Sequence, residues 1–171
     1  MRLLIYGFGP YRQFQDNVTE RILRRFPRRR GLKKIVFPVR FHRSQFINAV
    51  KEHKPDVILG LGQCSRGQRL RVEARAINKR RDHEHEKGRA IMTAGSRTLR
   101  TQLQVALGRQ GQSSSDAGDY VCNYSMYIIL DFIGRRRLLI RFGFIHIPYR
   151  YDYRKAVRLL GKAIDKIKAA G

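Results

Sequence analysis

Two stretches of the chain carry side chains that together can do acyl-transfer chemistry. Gly118-Asp119-Tyr120-Val121-Cys122-Asn123-Tyr124 sets a thiol where a helical pattern begins. There the helix dipole and the N–H groups without intrahelical partners favour a thiolate, and the same groups can receive an oxyanion. Gly143-Phe144-Ile145-His146-Ile147-Pro148-Tyr149 sets an imidazole in apolar surroundings, after a strand expected over Leu138–Phe142 and just before Pro148. A neutral imidazole there can take the thiol proton and return it to a leaving amine. Glu73 is flanked by Val72 and Ala74 in an extended segment. A carboxylate so placed is expected to be buried and to need a partner. Taken singly, each group has a plainer use: a lone cysteine packs as a small hydrophobe, and a core histidine bonds to the backbone. Taken together they form a nucleophile, a base and an orienting acid.

The remaining candidates are weaker. Among the histidines these are His42, His53, His83 and His85: His83 and His85 fall in a charged loop, and His53 ends an exposed helix. The run Asp82-His83-Glu84-His85-Glu86 has metal-binding residue types but no strong ligand spacing, so neither metal nor cofactor is expected. Two cysteines, Cys64 and Cys122, make no disulfide framework and read as reduced thiols of a cytoplasmic protein. Cys64 sits beside the third strand and reads as packing. The N-terminal apolar run is too short for a signal peptide, and no run approaches the roughly 20 residues that cross a bilayer.

The elements that must position these groups follow an α/β pattern. Leu3 to Tyr6 reads as a buried parallel strand, closed by a loop from Gly7 to Gln13. Asn17 is the expected N-cap of a helix, with Glu20 completing a capping box, and Pro27 stops that helix. Lys34 to Val39 reads as a second strand. A helix capped by Ser44 runs to Lys54-Pro55, and Asp56 to Leu61 is the third strand, leading into a loop from Gly62 to Gly67. Leu70 to Asn78 is extended and Lys79 to Arg89 is a surface loop. Leu99, Leu103, Val105, Ala106 and Leu107 suggest a helix ending at Gly108, and 110–115 a polar loop. Val121 to Phe132 is helical. Tyr153 to Ala170 is an amphipathic helix burying Val157, Leu160, Ile164 and Ile167. One domain of 171 residues is expected, with ligands at the C-terminal strand ends.

The charge is unusual: 37 Lys and Arg against 13 Asp and Glu, a formal +24. Clusters at Arg24-Arg25, Arg28-Arg29-Arg30, Lys79-Arg80-Arg81 and Arg135-Arg136-Arg137 accompany no nucleic-acid motif. Charge alone supplies non-specific polyanion binding, so nucleic acid is expected as a non-specific partner at most.

The sequence resembles the pyroglutamyl peptidases (pyrrolidone-carboxylate peptidases), a family of cytosolic cysteine peptidases. Leu4-Ile5-Tyr6-Gly7-Phe8-Gly9-Pro10-Tyr11 is similar to the family's first strand and its Gly-Phe-x-Pro-Phe loop, and 55–63 to its third strand and glutamine loop. The segment 73–78 resembles the one bearing its glutamate, while 117–124 and 143–149 resemble its cysteine and histidine motifs. The resemblance implies a three-layer α/β/α sandwich around a mostly parallel, mixed sheet, with a Cys122–His146–Glu73 triad. It implies removal of an N-terminal pyroglutamyl group from peptides through an acyl-enzyme on Cys122, and homo-oligomer contacts. Phe8, Tyr11 and Phe14 are the expected apolar wall, and Gln63 the group near the oxyanion or the lactam. Arg81 is the gapped counterpart of the family's functional arginine. The chain departs from the family at Tyr11-Arg12-Gln13, where the family loop has Phe-Gly-Gly, and at 80–86. It is also shorter than the family between Gly88 and Ser96 and after Tyr149. An altered or inactive member that binds polyanions through its basic surface is the alternative expectation.

Overall fold

The computed structural model describes residues 1–11, 14–65, 67–83 and 86–169. Arg12 and Gln13 of the altered loop, and Glu84 and His85 of the charged loop, lie outside the described residues. Six strands form one sheet in the order β2-β1-β3-β8-β4-β7. They are β1 (Leu3–Phe8), β2 (Leu32–Phe37), β3 (Val57–Cys64), β4 (Leu70–Glu73), β7 (Gly111–Ser114) and β8 (Arg141–Pro148). Strands β2, β1, β3 and β8 run parallel, β4 pairs antiparallel to β8, and β7 parallel to β4. A separate two-stranded ribbon joins β5 (Arg75–Ile77) to β6 (Thr98–Arg100).

The central strands are apolar on both faces because both faces are covered. Leu3, Ile5, Val57, Leu59, Leu61, Ile145 and Ile147 pack beneath α1 (Val18–Arg25) and α4 (Tyr153–Ala169). Leu4, Tyr6, Phe8, Ile58, Phe142 and Phe144 pack beneath α2 (Arg43–His53) and α3 (Val121–Arg135). The alternation along β1 therefore feeds two cores, and the result is the three-layer α/β/α sandwich. Among the described residues no helix is long and apolar enough to cross a membrane.

Several boundaries differ from the sequence reading. Gly7 and Phe8 continue β1, and Gly62, Gln63 and Cys64 continue β3. The strand expected at 138–142 begins at Arg141 and runs to Pro148, so His146 lies within a strand rather than beyond one. Leu138 and Leu139 are exposed, Leu139 almost fully. No helix forms over 99–107. Leu103, Val105 and Leu107 are buried at every second position, the period of extended chain, and Leu103 N–H bonds to the Phe142 carbonyl. Residues 111–114 are a polar edge strand, not a loop. Asn17 does cap α1, accepting from the Thr19 N–H, but Glu20 pairs with Arg24 at 2.7 Å instead of completing a capping box. Ser44 lies inside α2, whose N-cap is His42. Val157 is only partly buried beneath α4.

Candidate active site

The sheet brings three residues into one row. In the β3–β8 register Gly62 lies opposite His146, and in the β4–β8 register His146 lies opposite Arg71. Side chains two apart on a strand share a face, so Arg71 and Glu73 point the same way. Glu73 is fully buried, and its Oε1 accepts a hydrogen bond from His146 Nδ1 at 2.7 Å. A carboxylate can only accept, so the ring proton sits on Nδ1 and leaves Nε2 as the basic nitrogen. Arg71 Nε stands 3.7 Å from the same Oε1 and supplies the countercharge a buried carboxylate requires.

Cys122 enters from the α3 side. It is the second residue of α3, a helix entered through Gly118 in the left-handed region (φ 75°) and an Asx turn in which Gly118 N–H donates to Asp116 Oδ1 at 2.9 Å. Tyr120, the N-cap, makes no side-chain cap bond, so the first-turn N–H groups face the site without a capping side chain. The Cys122 sulfur rests on Gly62: a Cβ at that position would lie 2.7 Å from it. The absence of a side chain at Gly62 therefore lets the thiol settle on the row that holds His146. Asn123 is buried and fixes the helix start to the ribbon, accepting from the Ile77 N–H and donating to the Ile77 and Lys79 carbonyls. Tyr6 and Ser125 are hydrogen bonded at 3.0 Å beneath the thiol turn, and Ser125 donates to the Cys122 carbonyl.

Burial, with the nearby Cys64 and Glu73 adding to it and Arg71 opposing, pushes the Cys122 thiol up to about 12. This works against the thiolate that the helix dipole and the first-turn N–H groups favour. Desolvation disfavours the charged form, so a base that takes the proton assists the attack.

A cavity of about 320 Å³ opens over the row, lined among others by Phe8, Tyr11, Gln63, Arg71, Cys122 and His146. Larger hollows, one of about 470 Å³ with Glu73 in its lining and one of about 590 Å³, offer no thiol or imidazole. Phe8 and Tyr11 line the cavity over the row. Phe14 does not line the cavity; it backs Tyr11 at 5.4 Å and Tyr149 at 4.8 Å between ring centroids. Gln63 Oε1 accepts from the Val18 N–H at 2.8 Å, capping α1, while its Nε2 is buried with no hydrogen-bond partner among the described residues. Arg81 is away from the cavity, paired with Asp119 at 3.0 Å, and its backbone N–H bonds to the Asp119 carbonyl. It thus ties its segment to the loop before Cys122. Arg71, Asn17, Asp116 and Tyr120 are cavity residues that sequence reading missed. For Arg71 the signal was present: it stands two residues before Glu73 on an extended segment. Among the described residues there is no cluster of three metal-binding side chains.

The pyroglutamyl peptidase family model matches residues 1–157. Pyrrolidone-carboxylate peptidase 1 of Saccharolobus solfataricus is 28% identical over 90% of this chain and 81% of its own length. The pyrrolidone-carboxylate peptidase of Bacillus amyloliquefaciens is 31% identical over 86% and 78%. Among solved structures, pyroglutamyl peptidase I of B. amyloliquefaciens superposes with a TM-score of 0.82 at 23% identity, covering 93% of this chain and 92% of that one. A mutant pyrrolidone carboxyl peptidase of Pyrococcus furiosus gives 0.87 at 21% identity, covering 96% and 97%. Sequence match along nearly the whole chain and a shared fold agree: this chain belongs to the pyroglutamyl peptidase family.

Proposed function

We propose that the protein is a cysteine peptidase that removes an N-terminal pyroglutamyl group from peptides, with Cys122 as nucleophile, His146 as base and acid, and Glu73 as the group that orients the ring. The observation that carries this reading is His146, which lines the cavity that also holds Cys122 and is bonded through Nδ1 to the buried Glu73 at 2.7 Å. In the reaction the Cys122 sulfur attacks the scissile carbonyl while its proton passes to His146 Nε2. The oxyanion forms against the first-turn N–H groups of α3, where the helix dipole favours negative charge. The imidazolium then gives its proton to the departing amine, leaving a thioester. Water, deprotonated by the same ring, releases pyroglutamate and restores the thiol.

A pyroglutamyl end carries no ammonium, so the pocket needs no anionic anchor for it. It needs an apolar wall and partners for one lactam N–H and C=O. Phe8 and Tyr11 supply the wall, and the unpaired Gln63 Nε2 is a donor suited to the lactam carbonyl. All three triad residues come from one chain, so residues 1–171 serve as one catalytic unit whatever its oligomeric state. A cytoplasmic setting, in which thiols stay reduced, fits a cysteine nucleophile. The test is release of a fluorophore from a pyroglutamyl amide. We expect turnover by the wild type, loss of at least about 10³-fold in Cys122→Ser, where a poorer nucleophile replaces the thiol, and loss on alkylation. A correctly folded wild-type protein without turnover would overturn the reading.

A further inference from the structure

We infer that the outer face of α1 and α4 is a docking surface for the phosphate backbone of a duplex nucleic acid, bound by charge and not by sequence. The charge is concentrated there. Residues 21–34 hold eight Lys and Arg and no acid, and residues 154–168 hold six and one acid, Asp165. These two short segments thus carry +13 of the formal +24. Folding puts them side by side, since α1 and α4 cover the same face of the sheet with their apolar sides turned inward. Arg154, Arg158, Lys162 and Lys166 are exposed and four residues apart, which makes one row along α4 with a step of about 6 Å. Arg21, Arg24 and Arg25 on α1, and Arg28 and Arg30 just beyond it, are exposed beside that row.

Little of this charge is neutralised within the fold. Arg21 pairs with Asp16, Arg24 with Glu20 and Arg29 with Asp165. Among the described residues Arg25, Arg28, Arg158, Lys162 and Lys166 meet no carboxylate. Like charges four apart weaken a helix, so a row of four of them works against the stability of α4. A polyanion laid along the row reverses that penalty.

The chemistry of the face selects the partner. A helix that lies on a lipid surface needs a free apolar side. That of α4 is already spent on the sheet through Ala156, Leu160, Ile164 and Ile167. The exposed large hydrophobic residues are Met1, Val36, Leu138, Leu139 and Tyr149, none of them on α1 or α4. A duplex backbone presents phosphates alone, and guanidinium groups, present on both helices, suit them. None of these cations lines the catalytic cavity, so the two activities are separable.

The experiment measures binding of the full chain to a fluorescent 20-base-pair duplex, as DNA and as RNA, between 50 and 200 mM salt. Neutralising about five phosphates predicts a slope of log affinity against log salt near −4 to −5. Replacing Arg154, Arg158, Lys162 and Lys166 together by Gln should weaken binding at least tenfold at 100 mM salt and leave pyroglutamyl amide turnover unchanged. A control variant with the same charge loss elsewhere, Lys51, Arg135, Arg136 and Arg137 to Gln, should change affinity less than threefold. Circular dichroism and thermal unfolding confirm that both variants are folded. Equal losses in the two variants would show that net charge alone drives binding and would overturn the proposal. Tighter binding to anionic phosphatidylserine vesicles than to either duplex would overturn it as well.

Discussion

At the scale of single residues, the catalytic reading turns on when the Cys122 proton leaves. Burial raises the thiol above its ordinary value, so raising pH is what populates the thiolate, and neutral solution holds the thiol. Alkylation of the substrate-free protein by iodoacetamide should therefore be slow at pH 7 and climb without a plateau through pH 10. A plateau below pH 8 would mean a preformed thiolate–imidazolium pair. Arg71 acts on the same balance from the other side. Its charge lowers the thiol while its guanidinium stands against Glu73. Arg71→Gln should cut alkylation at pH 9 and kcat by roughly five- to thirtyfold, as a partly exposed charge a few ångströms away is worth about 1–2 kcal/mol. Arg71→Lys should restore most of both, and a variant with unchanged alkylation would assign Arg71 to packing alone. Glu73 was legible because a carboxylate between apolar residues must find a partner. Arg71 was legible by the same logic, two residues before Glu73 on an extended segment, but the apolar alternation at Leu70 and Val72 masked it.

At the scale of elements, the site depends on how closely α3 approaches β3. A Cβ at Gly62 would lie 2.7 Å from the Cys122 sulfur and 2.8 Å from the Phe144 ring. Neither contact is tolerable, so Gly62→Ala must push the thiol off its row or shift the helix. We expect a stability loss of about 1–3 kcal/mol by thermal unfolding, as for other overpacked sites. We also expect a fall in kcat larger than that of an equally destabilised variant away from the site. Wild-type kcat in Gly62→Ala would remove the glycine from the argument. The same close approach explains a boundary that sequence reading misplaced. Gly62 was read as opening the loop after the third strand. Like Gly60 it lies inside the strand, because glycine there answers to neighbours across the sheet rather than to a turn. The histidine strand was placed too early for a related reason. Leu138 and Leu139 are apolar, yet they sit in the exposed turn after α3, and the apolar run alone gives no sign of which leucines are buried. Residues 103–107 misled through spacing, since Leu103 and Leu107 fit a helical turn until Val105, buried between them, restores the period of two. Strand β7, Gly-Gln-Ser-Ser, pairs by backbone alone at the sheet edge and carries no pattern to read. By contrast α3 and α4 declared themselves through length and period.

At the scale of the whole molecule, the proposed triad was drawn from three well-separated motifs, and the sandwich was legible because α/β alternation runs along the chain. The distribution of charge over its faces was not, since only the fold shows that two distant segments meet. A formal +24 with few compensating pairs makes the folded state repel itself, and the compact form feels this more than the expanded chain. Mobile ions screen such repulsion over about 10 Å at 0.1 M. The midpoint of thermal unfolding should therefore rise as sodium chloride goes from 20 to 500 mM. A gain of about 1–2 kcal/mol corresponds to roughly 2–8 °C for a chain of this size. Sulfate at equal ionic strength should raise the midpoint further than chloride, because a divalent anion bridges neighbouring cations as well as screening them. The separation of the two effects can be read in one series of melts. The variant with Arg154, Arg158, Lys162 and Lys166 changed to Gln should melt higher than the wild type at 20 mM salt and show a smaller rise with salt. A wild-type midpoint that is flat or falling across the series would mean that the basic surface carries no repulsive cost, and with it would go the energetic reason for a polyanion to settle on α4.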